Sequence, residues 1–205
     1  EQQALYLPVD NKAGQAEFRA WEQGVEMSRA LNTTRSAKDF FFPQTENMME
    51  FKVTGKEIEL IDIRAALEEN FVVFGVRACD VKSFEVLDNV FLHADPIDSY
   101  YATRRDHGVI ISVACIRPAE TCFCQTFGIN AAEPAGDISV WKTENEVFWQ
   151  SNTEKGAELL KKIEALTEEC ADNSADTQKE QIGKIMKKLP LANLSADAFG
   201  GGKTQ

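Results

Sequence analysis

Residues 71–93 read FVVFGVRACDVKSFEVLDNVFLH, and the change of period inside this stretch decides the fold class. Residues 71–77 form a continuous apolar run rich in β-branched and aromatic side chains, the pattern of a strand covered on both faces. Directly after it, Val81, Phe84, Leu87 and Phe91 recur at helical spacing, with Asp80 placed to cap the helix they predict. Residues 96–108, PIDSYYATRRDHG, predict a second helix, with Pro96 near its start and Gly108 just past its end. VIISVA, residues 109–114, repeats the buried-strand pattern. Strand, helices and strand in this order mark a crossover between two parallel strands. Parallel strands end at one edge of their sheet, where open α/β sheets bind ligands. Cys79 and Cys115 sit at those two ends and are therefore expected to be neighbours in space. The expected fold is α/β: a mixed sheet with at least one parallel crossover unit, helices packed on it, and a cysteine loop at the carboxyl edge of the strands.

The remaining chain reads less sharply. Residues 13–30 place Phe18, Trp21, Val25 and Met27 near helical spacing and predict an amphipathic helix, with Gly24 a blemish. In DFFFPQTENMMEFKV, residues 39–53, Pro43 biases Phe42 away from helix, so a loop or extended segment laid across a core is expected. Residues 56–69 predict a short strand running into a short helix. DISVWKT and EVFWQS, flanking Glu144 and Asn145, predict a hairpin. Two amphipathic helices are expected over 154–170 and 174–188, with stripes of Leu159, Ile163 and Leu166 and of Ile182, Ile185 and Leu189.

SVACIRPAETCFCQTFG, residues 112–128, packs Cys115, Cys122 and Cys124 into ten positions. With Cys79 brought alongside by the crossover, four thiols form a donor set for tetrahedral zinc or for an iron–sulfur cluster. Structural zinc usually takes cysteine pairs two to four residues apart. Cys122 and Cys124 have one residue between them and would point to opposite faces of a strand, so they need an irregular loop or a target gripped from two sides. A cubane cluster is such a target, and the spacing favours iron–sulfur over zinc without being that of a ferredoxin. Arg77 and Arg117 flank two of the cysteines, Arg104 and Arg105 are expected to approach from the crossover, and Cys79 lies at a predicted helix N-terminus that favours a thiolate. Cys170, isolated on a predicted helix, reads as a small buried hydrophobe. His93 and His107 each end a predicted helix and read as caps. No nucleophile–base arrangement and no glycine-rich phosphate loop is seen, so no catalytic site is assigned.

The chain has 205 residues and a net charge of −11, which argues against a nucleic-acid partner. No stretch approaches the roughly 18 apolar residues of a membrane span, and EQQALYLPVD has no signal-peptide pattern, so a cytoplasmic protein is expected. Five cysteines, an odd number, point to metal or redox chemistry rather than to a disulfide framework. The absence of an initiator Met and the tail LSADAFGGGKTQ lead us to expect a piece of a longer polypeptide. Residues 1–190 are read as the cysteine-bearing domain and 191–205 as a flexible Gly-rich linker.

FGVRACDVKSFEVLDNVFL and YYATRRDHGVIISVACIRPAETCFCQTFG, with FFFPQTENMMEF before them, resemble the amino-terminal domain of the iron–sulfur beta subunits of cytoplasmic sulfhydrogenases and of the related anaerobic sulfite reductase A subunit. The resemblance is strongest over residues 38–140. It implies an electron-transfer subunit in which Cys79, Cys115, Cys122 and Cys124 ligate one [4Fe-4S] cluster. It also implies a carboxy-terminal ferredoxin-like domain in the full-length chain, and flavoprotein and catalytic subunits as partners. No ferredoxin cysteine motif occurs in these 205 residues. Such a cluster is readily lost in air, and zinc can fill the emptied thiols. Two other readings stand beside the electron relay: a structural zinc scaffold for complex assembly, and a thiol switch closing between Cys122 and Cys124.

Overall fold

The computed structural model describes residues 3–30, 32–171 and 173–199. The expected glycine run at 200–202 lies outside them. Six strands form a mixed sheet in the order β2-β1-β5-β6-β7-β8, and β3 and β4 form a separate two-stranded ribbon. The α/β expectation holds. Among the described residues no helix is long and apolar enough to cross a membrane. The chain divides into two compact units, one of Glu1–Ser28, Thr33–Val73 and Ser83–Val109, the other of Arg29–Asn32, Phe74–Lys82 and Ile110–Gln205.

In the first unit, β1 (Ala4–Asp10) pairs antiparallel with β2 (Ala16–Ala20) and parallel with the start of β5 (Phe71–Val76). The helix expected over 13–30 is thus a correction: Ala16–Ala20 is strand, followed by turns. The cause is the connecting turn. Asn11 Oδ1 accepts from the backbone N–H groups of Ala13 and Gln15 at 2.9 and 3.0 Å, and Gly14 takes φ 74°, so the chain folds back on β1. Strand pairing turns Phe18 onto Phe40, ring centroids 5.8 Å apart, and leaves Trp21 and Met27 exposed.

The segment around Pro43 is a loop with one 3₁₀ turn, Ala37–Phe40, and its fully buried Phe41 meets Phe71 and Phe84. β3 (Glu50–Thr54) and β4 (Glu57–Ile61) pair antiparallel, and a 3₁₀ helix follows at Ile63–Glu68.

Helix α1 (Ala78–Phe91) begins earlier than the sequence suggests. Val81 N–H bonds the Arg77 carbonyl at 2.9 Å, so Asp80 lies inside the first turn, where its charge suits the helix dipole, and is not the cap. Helix α2 (Ser99–His107) is capped by Asp98, whose Oδ1 accepts from Tyr101 N–H at 2.9 Å, and ends at Gly108.

In the second unit, the end of β6 (Gly108–Val113) runs parallel to β7 (Ile138–Lys142), and β7 pairs antiparallel with β8 (Val147–Ser151), the expected hairpin. Helix α3 (Glu154–Lys162) is capped by Thr153 and is shorter than expected. A 3₁₀ turn at Glu164–Leu166 follows, and Leu166 is 86% exposed rather than part of a buried stripe. Helix α4 (Asp176–Met186) buries Ile182 and Met186, while Ile185 faces outward. Cys170 is exposed and lies beyond the 3₁₀ turn, so neither its helix nor its burial is seen.

Candidate metal centre

The cysteine region belongs to the second unit. Arg77 follows β5, and its Nη1 donates to the carbonyl of Val113, the last residue of β6, at 3.3 Å. The two strand ends therefore share an edge, with Cys79 three residues beyond β5 and Cys115 two beyond β6. Cys79 is exposed; Cys115, Cys122 and Cys124 are half-buried; all are free thiols.

Local structure positions each one. Cys79 is the second residue of α1, and its sulfur accepts from the Asp80 backbone N–H. Cys115 N–H bonds the Ala131 carbonyl at 3.0 Å, and its sulfur accepts from the Arg117 backbone N–H. Cys122 N–H closes a turn onto Ala119 at 3.0 Å. Cys124 opens a 3₁₀ turn, Cys124–Phe127, that ends at Gly128 in the left-handed region, φ 67°. Gly128 is suited to that φ because it carries no Cβ. The pair Cys122 and Cys124 thus sits in an irregular turn rather than a strand, as its spacing required.

A small-residue wall supports the loop. Cys115 and Cys124 pack against a buried cluster of Ala114, Ala131, Ala132, Trp141, Ala175, Ile182 and Met186. Trp141 Nε1–H donates to the Ala132 carbonyl at 2.6 Å, fixing the segment that in turn holds Cys115. The cysteine spacing gives no sign of this wall. Its signal was the pair Ala131 and Ala132 just before strand β7, where small side chains let the backbone come close.

Electrostatics link the four thiols. The interaction between the Cys79 and Cys124 thiols raises Cys79 above the ordinary range and lowers Cys124; burial and the charge of Asp80 push Cys79 further up. Burial raises Cys115 as well, with Cys122 and Cys79 adding to the rise and Arg77 opposing it. Burial lowers Arg77, against the pull of Cys115, Cys79 and Asp80. Among the described residues, no three His, Cys, Asp or Glu side chains form a group that could hold a metal ion as they stand. The chemistry of the donor set, four free thiols with a guanidinium in electrostatic reach of Cys79 and Cys115, suits a thiolate-bound centre.

Arg104 and Arg105 do not join the thiols. Arg104 pairs with Glu46, and Arg105 forks onto Asp88 with two hydrogen bonds of 2.8 Å, all within the first unit. Their carboxylate partners claimed them. Of the histidines, His107 ends α2 with Nδ1 2.9 Å from the Thr103 carbonyl oxygen, and His93 lies two residues past α1 with Nδ1 3.2 Å from Asn89 Oδ1.

No protein-family signature matches the chain, and no solved structure matches it. It is similar to the sulfhydrogenase 2 subunit beta of Pyrococcus furiosus, with 29% identity over 173 residues that cover 81% of this chain and 49% of that subunit. The chain spans about half the length of that relative. The similarity reaches well beyond the cysteine motifs and bears out the resemblance to sulfhydrogenase beta subunits read from them.

Proposed function

We propose that this chain is an electron-relay part of an oxidoreductase complex, of the hydrogenase or sulfite-reductase type, and that Cys79, Cys115, Cys122 and Cys124 hold one [4Fe-4S] cluster. The observation that carries the reading is the approach of Cys79 and Cys124, two thiols 45 positions apart in sequence that shift each other's protonation, with Cys115 in electrostatic reach of both. Three separate pieces of backbone converge their sulfurs, which a core cysteine has no need to do. When bound, the cluster would accept and release one electron at a time.

The chain's own residues prepare for that. The backbone N–H groups of Asp80 and Arg117 point at sulfurs and stabilise negative charge on them, and the wall behind Cys115 and Cys124 excludes water from one side. Nothing in this arrangement offers a nucleophile and base for catalysis, so the chemistry of the terminal donor or acceptor belongs to partners. Those partners are flavoprotein and catalytic subunits in the cytoplasm, together with a ferredoxin-like domain in a full-length chain. The name of the relative, a subunit, supports a multi-subunit setting.

The test is iron and zinc content with a visible spectrum on protein prepared without oxygen, alongside Cys122→Ser and Cys170→Ser variants. About four irons per chain with a broad visible band, lost in Cys122→Ser and kept in Cys170→Ser, is expected. Stoichiometric zinc without iron, even after anaerobic reconstitution, would replace the relay with a structural scaffold.

A further inference from the structure

We propose that Arg77 is a positioning residue for the thiol set: it straps together the two backbone segments that deliver Cys79 and Cys115, and its charge stabilises the more negative state of the group they hold. The inference rests on the cluster reading above and adds a residue to it. Arg77 Nη1 donates to the Val113 carbonyl at 3.3 Å, a bond spanning 36 positions in sequence. Arg77 stands two residues before Cys79, and Val113 stands two residues before Cys115. The same residue also starts α1, since its carbonyl accepts the hydrogen bond from Val81 N–H at 2.9 Å. Main chain and side chain together therefore set where the helix bearing Cys79 leaves the end of β5 relative to the end of β6.

Arginine suits this double task. Its planar fork binds a carbonyl with one N–H while the delocalised charge stays near the sulfurs, whereas lysine offers a single flexible point charge. The guanidinium is in electrostatic reach of Cys115, Cys79 and Asp80. Arg104 and Arg105 are held by Glu46 and Asp88 in the other unit. Adding an electron to a thiolate-bound cluster increases negative charge, so a nearby fixed positive charge favours the reduced form. Removing that charge lowers the potential.

The test compares wild type, Arg77→Lys and Arg77→Gln, each checked for folding by circular dichroism. The reduced, metal-free chain is titrated with cobalt(II) alone, read by its thiolate absorption, and the potential of the reconstituted iron form is measured separately. We expect about a tenfold or greater loss of cobalt affinity in Arg77→Gln, the size typical for residues that orient metal ligands, with part of it recovered in Arg77→Lys. The potential is expected to fall in Arg77→Gln by the equivalent of about tenfold in the one-electron equilibrium, ~59 mV, and to stay near wild type in Arg77→Lys.

Equal cobalt affinity and equal potential in all three proteins would overturn the proposal. Equal losses of affinity in both variants with no change of potential would overturn its electrostatic half. Should Arg77→Gln fail to fold, Arg77→Lys decides, through lowered cobalt affinity at a retained potential against no change in either. A wild-type chain that binds cobalt but builds no iron cluster would defeat the cluster reading while the cobalt comparison still judges the strap. One that takes up neither metal would defeat both.

Discussion

Asp88 is pulled in two directions. Burial raises its carboxyl, while the forked hydrogen bonds from Arg105, the hydrogen bond from Tyr101 Oη at 2.6 Å and the charge of Arg105 lower it, and the lowering wins. The folded value therefore lies below the unfolded one of about 3.9, so this stabilisation is fully present above that pH and is lost as pH falls through the folded value. Asp88→Asn is expected to flatten the acid limb of the stability curve below about pH 4, read by chemical denaturation at a series of pH values. Tyr101 is pushed the other way, by burial first and then by its bond to Asp88, and stays neutral throughout that range. Gly108 is a second single-residue constraint. A Cβ there would stand 2.4 Å from Phe41 Cε1 and 2.7 Å from Phe71 Cζ, inside the aromatic packing of the first unit. Gly108→Ala should cost about 1–3 kcal/mol, the range for overpacking a filled core, measured by urea unfolding.

Elements differ in how much covers them. The β3–β4 ribbon places Phe51 opposite Leu60 and Val53 opposite Ile58, so one face carries four large apolar side chains, and these are 58–69% exposed. A ribbon of two strands is marginal by itself in water. Its amides are expected to exchange with deuterium faster than those of β6, whose residues 108–112 are all buried, and Leu60→Ser should change stability by no more than about 0.5 kcal/mol. Helix α3 is the opposite case. Buried Asp137 accepts from Ile110 N–H at 2.8 Å and from Thr153 Oγ1–H at 2.7 Å, and a Cβ on Gly156 would stand 2.1 Å from the Asp137 carbonyl oxygen. Backbone rather than a flexible side chain blocks that position, so Gly156→Ala should lower the thermal midpoint despite alanine's better helix propensity. The sequence carried the β7–β8 hairpin in plain view, two short β-rich runs flanking Glu144 and Asn145. The β1–β2 hairpin was hidden because its turn is built by one Asn side chain and one Gly, while Phe18, Trp21 and Val25 happen to fall at helical spacing.

At the scale of the whole molecule, structure and site meet in the core of the second unit. Ile182 is fully buried in the cluster against which Cys115 and Cys124 pack. Ile182→Ala should cost about 2–5 kcal/mol in urea unfolding. Iron or cobalt uptake should weaken with it, because the wall behind two of the sulfurs loosens. The continuous apolar runs of β5 and β6 were legible in the sequence, since composition and period are local properties that survive without knowledge of partners. Three-dimensional neighbours decided the rest. Arg104 and Arg105 went to Glu46 and Asp88 rather than to the thiols, and Cys79 came into electrostatic contact with Cys124, 45 positions away. Each of these outcomes is a competition among groups far apart in the chain, settled by distance and desolvation, and neither quantity exists until the chain has folded.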